Sequence, residues 1–123
     1  MLFRSDRNAF ESTKLASLTV PDTVTSIGVR AFQNNTTLLN AEIGTGATTI
    51  PYGLFYGCLN LESVTFKANV TTTAGSIFQS VTNTGLEVTF EQNTMAEVQA
   101  LNSYPWSMRT GQTIHCSDGD ITI

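Results

Sequence analysis

The side chains able to bind a metal or act as a nucleophile gather at one end of this chain. His115, Cys116, Asp118 and Asp120 form an H-C-x-D-x-D run. Imidazole, thiolate and carboxylate are zinc-ligand types, but a tetrahedral site wants about four ligands, usually as two separated pairs. Here there is one cluster. Residues 113–116 (T-I-H-C) read as a strand, in which His115 and Cys116 point to opposite faces. Asp118-Gly119-Asp120 resembles part of a calcium loop without the further oxygen ligands that the ion needs at fixed offsets. Asp-Gly instead suits a hairpin turn, which requires positive φ angles. Cys58 and His115 could pair as nucleophile and base. No third group stands ready to orient them, and Cys58 falls in a column expected to be buried, where a thiol is not activated. The sequence therefore predicts no catalytic residue, no metal and no cofactor, and the chain reads as a protein that is not an enzyme.

Composition narrows the choice further. A length of 123 residues suits a single domain, 1–123. Charged residues make up only 13%, against about 25% in ordinary soluble domains, and Thr, Ser and Asn fill the gap. The net charge is −4, and the six Lys and Arg are scattered. With no basic cluster to release counterions, nucleic acid is excluded as a partner. No apolar run approaches the ~20 residues that cross a bilayer, so no membrane insertion is expected. The opening Met1-Leu2-Phe3-Arg4-Ser5-Asp6-Arg7 has neither the apolar core nor the small-residue cleavage site of a signal peptide. Two cysteines cannot build a disulfide scaffold, and both are expected as free thiols.

Internal periodicity carries the fold. Phe10, Phe32, Phe55 and Phe78 recur at near-constant spacing, with Ala9, Ala31, Leu54 and Ile77 before them. Leu15, Leu38 and Leu61 keep the same period, as do Leu18, Ala41 and Val64, then Val20, Ile43 and Phe66. Val24, Ala47 and Val70 form another column, and Ile27 and Ile50 another, with Thr73 in its third copy. A fixed period of this length is the mark of stacked coils, because one coil cannot bury its own apolar face and neighbours bury it jointly. Within each unit, alternating apolar positions make a short strand with one buried face. Pro21, Gly44 and Lys67 turn the chain after it, and Gly28 and Gly53 are expected to permit the next bend. The phenylalanines should stack as an internal ladder. Past Phe90 the repeat stops. Residues 95–101 read as a helix capped by Asn93 or Thr94, Tyr104-Pro105-Trp106 breaks it, and residues 113–123 read as a hairpin.

The stretch Val20-Pro21-Asp22-Thr23-Val24-Thr25-Ser26-Ile27-Gly28-Val29-Arg30-Ala31-Phe32 strongly resembles the BspA-like leucine-rich repeats of bacterial surface proteins, and so does residues 50–66, Ile50-Pro51-Tyr52-Gly53-Leu54-Phe55-Tyr56-Gly57-Cys58 onward. Cys58 sits where that family often carries a Cys after the Phe. The tail, Val98 to Ile123 with Tyr104-Pro105-Trp106 and Ile114-His115-Cys116, is similar to the endings of leucine-rich repeat proteins of gut Firmicutes and their phages. The resemblance implies a mainly β, right-handed leucine-rich repeat solenoid of about 3.5 repeats of ~23 residues, with short helical segments and a C-terminal α/β cap. It divides the chain into a lead-in (1–8), repeats (9–90) and cap (91–123). It also implies a recognition or structural module for adhesion, receptor binding or assembly on a phage tail or bacterial surface, or else a repeat segment of a larger secreted adhesin.

Two surfaces follow for such a module. Thr19, Glu42, Thr65 and Thr89 occupy the outward positions of the main strand column, and stacking would set them in a row ~4.8 Å apart that could take a glycan or a protein edge. A second row, Thr25-Ser26, Thr48-Thr49 and Thr71-Thr72, has the same character. The plain alternative is that hydroxyl-bearing residues favour strands and keep the face soluble. Tyr52, Tyr56, Tyr104 and Trp106 could stack on sugars, though Trp106 better suits sealing the cap. The second surface is the first coil. Only eight residues precede Ala9-Phe10, so Leu15, Leu18 and Val20 are expected to meet a partner, a second copy or a larger assembly, through an uncapped end.

Overall fold

The computed structural model describes residues 14–123. Ala9, Phe10 and the lead-in lie outside the described residues. The chain runs β1 (Ser17–Val20), β2 (Asn40–Ile43), β3 (Thr49–Ile50), β4 (Ser63–Phe66), β5 (Thr72–Thr73), β6 (Glu87–Phe90), α1 (Met95–Gln99), β7 (Thr113–Cys116) and β8 (Gly119–Thr122). The main sheet has the order β1-β2-β4-β6-β7-β8, and β3 and β5 form a second, two-stranded sheet. Every neighbour in the main sheet is parallel up to β7, so the chain coils one strand per turn. Only β8 reverses, as a hairpin on β7. Among the described residues the four parallel steps make about four turns, in keeping with the repeat solenoid expected from the sequence.

The columns read from the sequence are the core. Leu38 and Leu61, Ala41 and Val64, Ile43 and Phe66, Ala47 and Val70 are all buried. Phe32, Phe55 and Phe78 stack face to face, with ring centroids 5.8 and 5.9 Å apart. A second stack joins Phe66 and Phe90 at 5.0 Å. Coil stacking holds each ring at offset-stacking distance, so aromatic attraction adds to burial.

The bends differ from the glycine reading. Arg30, Gly53 and Ser76 share one left-handed position, at φ 56°, 63° and 57°. Asn34, Gly57 and Ser80 share a second, at 60°, 76° and 66°. Gly28 belongs to neither, and the first bend is made at Arg30. The ladder between coils holds these non-glycine residues in place: Arg30 N–H donates to Tyr52 O (3.0 Å) and Asn34 N–H to Tyr56 O (2.8 Å). Gly57 is different in kind, because a Cβ there would run into the Asn34 side chain.

The ladder also runs past residue 90. Trp106 takes the next place in the phenylalanine column: its carbonyl accepts from Phe78 N–H (3.1 Å), and its ring lies 5.7 Å from Phe90 and 6.5 Å from Phe78. Its indole N–H donates to Asn102 O and Thr73 Oγ1, so a fully buried Trp leaves no polar atom unpaired. Helix α1 starts with a capping box at Thr94 and Glu97. Asp118 Oδ1 accepts from Met95 N–H at 2.8 Å and ties the hairpin to the helix start. Two buried amides close the remaining backbone: Asn93 pairs with Val70 through both its donor and its acceptor, and Gln112 donates to Val81 O and Asn83 O.

Candidate functional site

Parallel pairing brings the predicted row together. Thr19, Glu42, Thr65 and Thr89 lie in exact lateral register on β1, β2, β4 and β6. Strand alternation turns these four outward while Val20, Ile43, Phe66 and Phe90 point into the core. Two residues earlier on each strand, Ser17, Asn40, Ser63 and Glu87 form a parallel row on the same face. Ser63 Oγ donates to Asn40 Oδ1 at 2.7 Å. The two rows enclose a shallow depression of about 310 Å³, lined by Ser17, Thr19, Asn40, Glu42, Ser63 and Thr65. Hydroxyls dominate it, with one amide, Asn40. Its one carboxylate, Glu42, is held by Lys67 at 2.8 Å, and the pair is half-exposed. The Glu42 carboxylate, by hydrogen bond and charge, pushes the Lys67 ammonium up from its ordinary value.

The sequence reading missed how this row ends. His115 and Asp120 continue it on β7 and β8, beside Thr89. The longer last turn breaks the repeat period, so no column in the sequence points to them. His115 Nε2 stands 2.8 Å from Glu87 Oε1 and its Nδ1 2.8 Å from Asp120 Oδ1. Carboxylate oxygens only accept, so both contacts require both ring N–H groups, and the bridging form is the imidazolium. Hydrogen bonds from Glu87 and then Asp120 raise the His115 pKa above its usual value, outweighing a small burial effect. The H-C-x-D-x-D run is thus taken up locally: Asp120 holds His115, Asp118 holds α1, and Cys116 lies on the other side of β7. The two ring nitrogens of His115 face different carboxylates and cannot aim at one ion. Among the described residues no group of three or more His, Cys, Asp and Glu is placed to hold a metal.

A raised folded-state pKa stabilises the fold below the unfolded value, ~6.5 for His, and that gain is lost as pH rises through the folded value. The chain has one histidine, so its ring-proton NMR signal is unambiguous. We expect it to titrate with a midpoint above ~6.5, and Glu87→Gln to lower that midpoint. A midpoint at or below the free value would contradict the bridge.

The other candidates separate. Cys58 is fully buried, its Sγ 3.1 Å from Phe32 O, and burial pushes its pKa up to about 12. It is nowhere near the outer face that carries His115, so the two do not form a nucleophile and base. Trp106 is buried and Tyr104 packs edge-on against it, 5.4 Å away. Tyr52 and Tyr56 instead flank the Arg30 guanidinium at 5.2 and 5.5 Å. Hydrogen bonds from Ser76 and Arg30 lower the Tyr52 pKa. On the first described coil Leu15, just before β1, and Leu18 are half-buried against the core, and Val20 is buried beside Ile43.

Residues 5–107 match the BspA type leucine rich repeat region, in six copies. The fold is similar to the solved structure of a leucine rich cell surface protein from Faecalibacterium prausnitzii A2-165, with a TM-score of 0.69 and 25% sequence identity over 93% of this chain and 29% of that one. No curated protein matches the chain.

Proposed function

Since this chain belongs to the BspA-type leucine-rich repeat family, we propose that it is a non-enzymatic recognition module whose binding surface is the outer face of the main sheet. The observation that carries this reading is the register of Thr19, Glu42, Thr65 and Thr89, continued by His115. Strands parallel and in step place hydroxyls, the Asn40 amide and the paired carboxylates of Glu42 and Glu87 on a rigid, evenly spaced grid. Such a grid suits a ligand with regularly repeated donors and acceptors, a glycan chain or the edge of a protein. Solenoids use their extended sheet surfaces in this way. Placement on a bacterial cell surface, in an adhesive role, is the finer reading, and the similarity to a cell surface protein supports it over a place in a phage particle. Residues 91–123 are read as the closing turn and cap, since Trp106 covers Phe78 and Phe90.

The test is a binding screen of the purified chain against immobilised surface polysaccharides and extracellular matrix proteins, run beside Thr65→Arg. Thr65 is half-exposed at the centre of the row, so Arg should fold normally and block the grid. A ligand bound by the unaltered chain and weakened about tenfold or more by the variant supports the reading. A ligand indifferent to Thr65→Arg would contradict it.

A further inference from the structure

The main sheet is least supported at its last strand. β8 is an edge strand that pairs only with β7, over four residues. Strands β2, β4 and β6 each sink two side chains into the core. β8 sinks none: Asp120 and Thr122 are exposed, and Gly119 and Ile121 are half-buried. An edge with so little buried contact opens locally more readily than the coils behind it. Hydrogen bonds hold the hairpin at its two ends. At the open end Gly111 N–H donates to Ile123 O, and Ile123 N–H to Gln112 O. At the turn Ser117 N–H donates to Asn93 O, and Asp118 Oδ1 accepts from Met95 N–H.

Midway between those ends one side chain spans three strands. His115 on β7 lies directly across from Asp120 on β8, and beside Thr89 on β6. Its Nδ1 stands 2.8 Å from Asp120 Oδ1, and its Nε2 reaches diagonally to Glu87 Oε1, also at 2.8 Å. The other charged groups nearby are turned to different partners. Asp118 holds the start of α1, and Glu97 on α1 accepts from Thr94 N–H. Glu87 and Asp120 are the charges that act on the ring. This contact is complete in one protonation state only. An imidazolium brings two N–H groups and serves both carboxylates. A neutral ring brings one, whichever tautomer it takes, and turns a lone pair toward the other carboxylate. Loss of the proton therefore breaks the span, either between β6 and β7 or between β7 and β8.

We propose that the bridge from Glu87 through His115 to Asp120 is a pH-operated latch on the closing hairpin: the charged ring ties β7 and β8 to β6, and its deprotonation lets the hairpin open locally while the repeat coils stay folded. The raised pKa of His115 keeps the latch engaged below ~6.5 and releases it as pH rises through the folded value. The last two members of the outer row, His115 and Asp120, are thus held in place on the acid side and loosened on the alkaline side. The latch needs no ligand, so it holds or fails whatever the outer face binds.

The test is amide hydrogen exchange of the full chain, read by NMR from about pH 5 to about pH 9 and corrected for intrinsic base catalysis. Both carboxylates are well exposed, at 60% and 61%, so each tie is weak. Protection of the β8 amides that pair with β7 should fall by about two- to fivefold, with the midpoint of the His115 ring signal. These amides should exchange faster than those of β4 at every pH. His115→Gln, at a position outside the core, should show low β8 protection that does not change with pH. Glu87→Gln offers the neutral ring a donor where the carboxylate offers none, so the fall should shrink. A β8 protection that does not change with pH in the unaltered chain, a midpoint apart from that of the ring, or a fall of full size in either variant would overturn the proposal. So would β8 amides exchanging no faster than those of β4, since the hairpin would then open only when the whole chain unfolds.

Discussion

Phe55→Ala should lower the unfolding free energy by about 3–5 kcal/mol. Phe55 is fully buried between Phe32 and Phe78, and its ring contacts both at stacking distance. Its removal leaves a cavity inside a column, with rings on both sides fixed by their own coils. Phe55 N–H also donates to Ile77 O within the ladder between coils, so the backbone cannot slide in to fill the hole. The site therefore collapses little, which places the cost toward the upper end of the range. Denaturant unfolding read by circular dichroism gives the value. Phe55→Leu, which keeps most of the volume, should cost much less. An unchanged midpoint for Phe55→Ala would show that the coils do not share one core.

Trp106→Ala should cost a similar ~3–5 kcal/mol, by a different route. Trp106 covers the last phenylalanines of two columns, Phe78 and Phe90. Without the indole these rings meet water at the end of the stack, and exposed coil ends associate. Loss of stability should thus come with concentration-dependent self-association in sedimentation. Trp106→Phe separates the two contributions of the residue. It restores most of the cover but removes the N–H that Asn102 O and Thr73 Oγ1 receive, leaving a cost of about 1–2 kcal/mol and a monomeric chain. A Trp106→Ala protein that stays monomeric at full stability would show that the segment after residue 90 does not close the solenoid.

The core was legible because it repeats. Phe32, Phe55 and Phe78 announce themselves by spacing, and the outward row of Thr19, Glu42, Thr65 and Thr89 follows from them by strand alternation. What could not be read lies where the period breaks. His115 joins the row only because the longer last turn still returns in register, a matter of three-dimensional closure that no column records. The bend at Arg30 was hidden for another reason. A left-handed position normally calls for glycine, and sequence reasoning looked to Gly28, but here the ladder bond from Arg30 N–H to Tyr52 O holds a side-chain-bearing residue in that conformation.

The recognition face is tested most directly by mapping where a ligand from the binding screen sits. Amide signals of the labelled chain, followed through a titration with that ligand, locate it without any substitution. The account predicts shifts concentrated at Thr19, Glu42, Thr65 and Thr89, fading toward His115, with Thr48, Thr49, Tyr52 and Tyr56 unmoved. Shifts concentrated at Thr48, Thr49, Tyr52 and Tyr56 with the main-sheet row silent would place recognition elsewhere on the coil and contradict it.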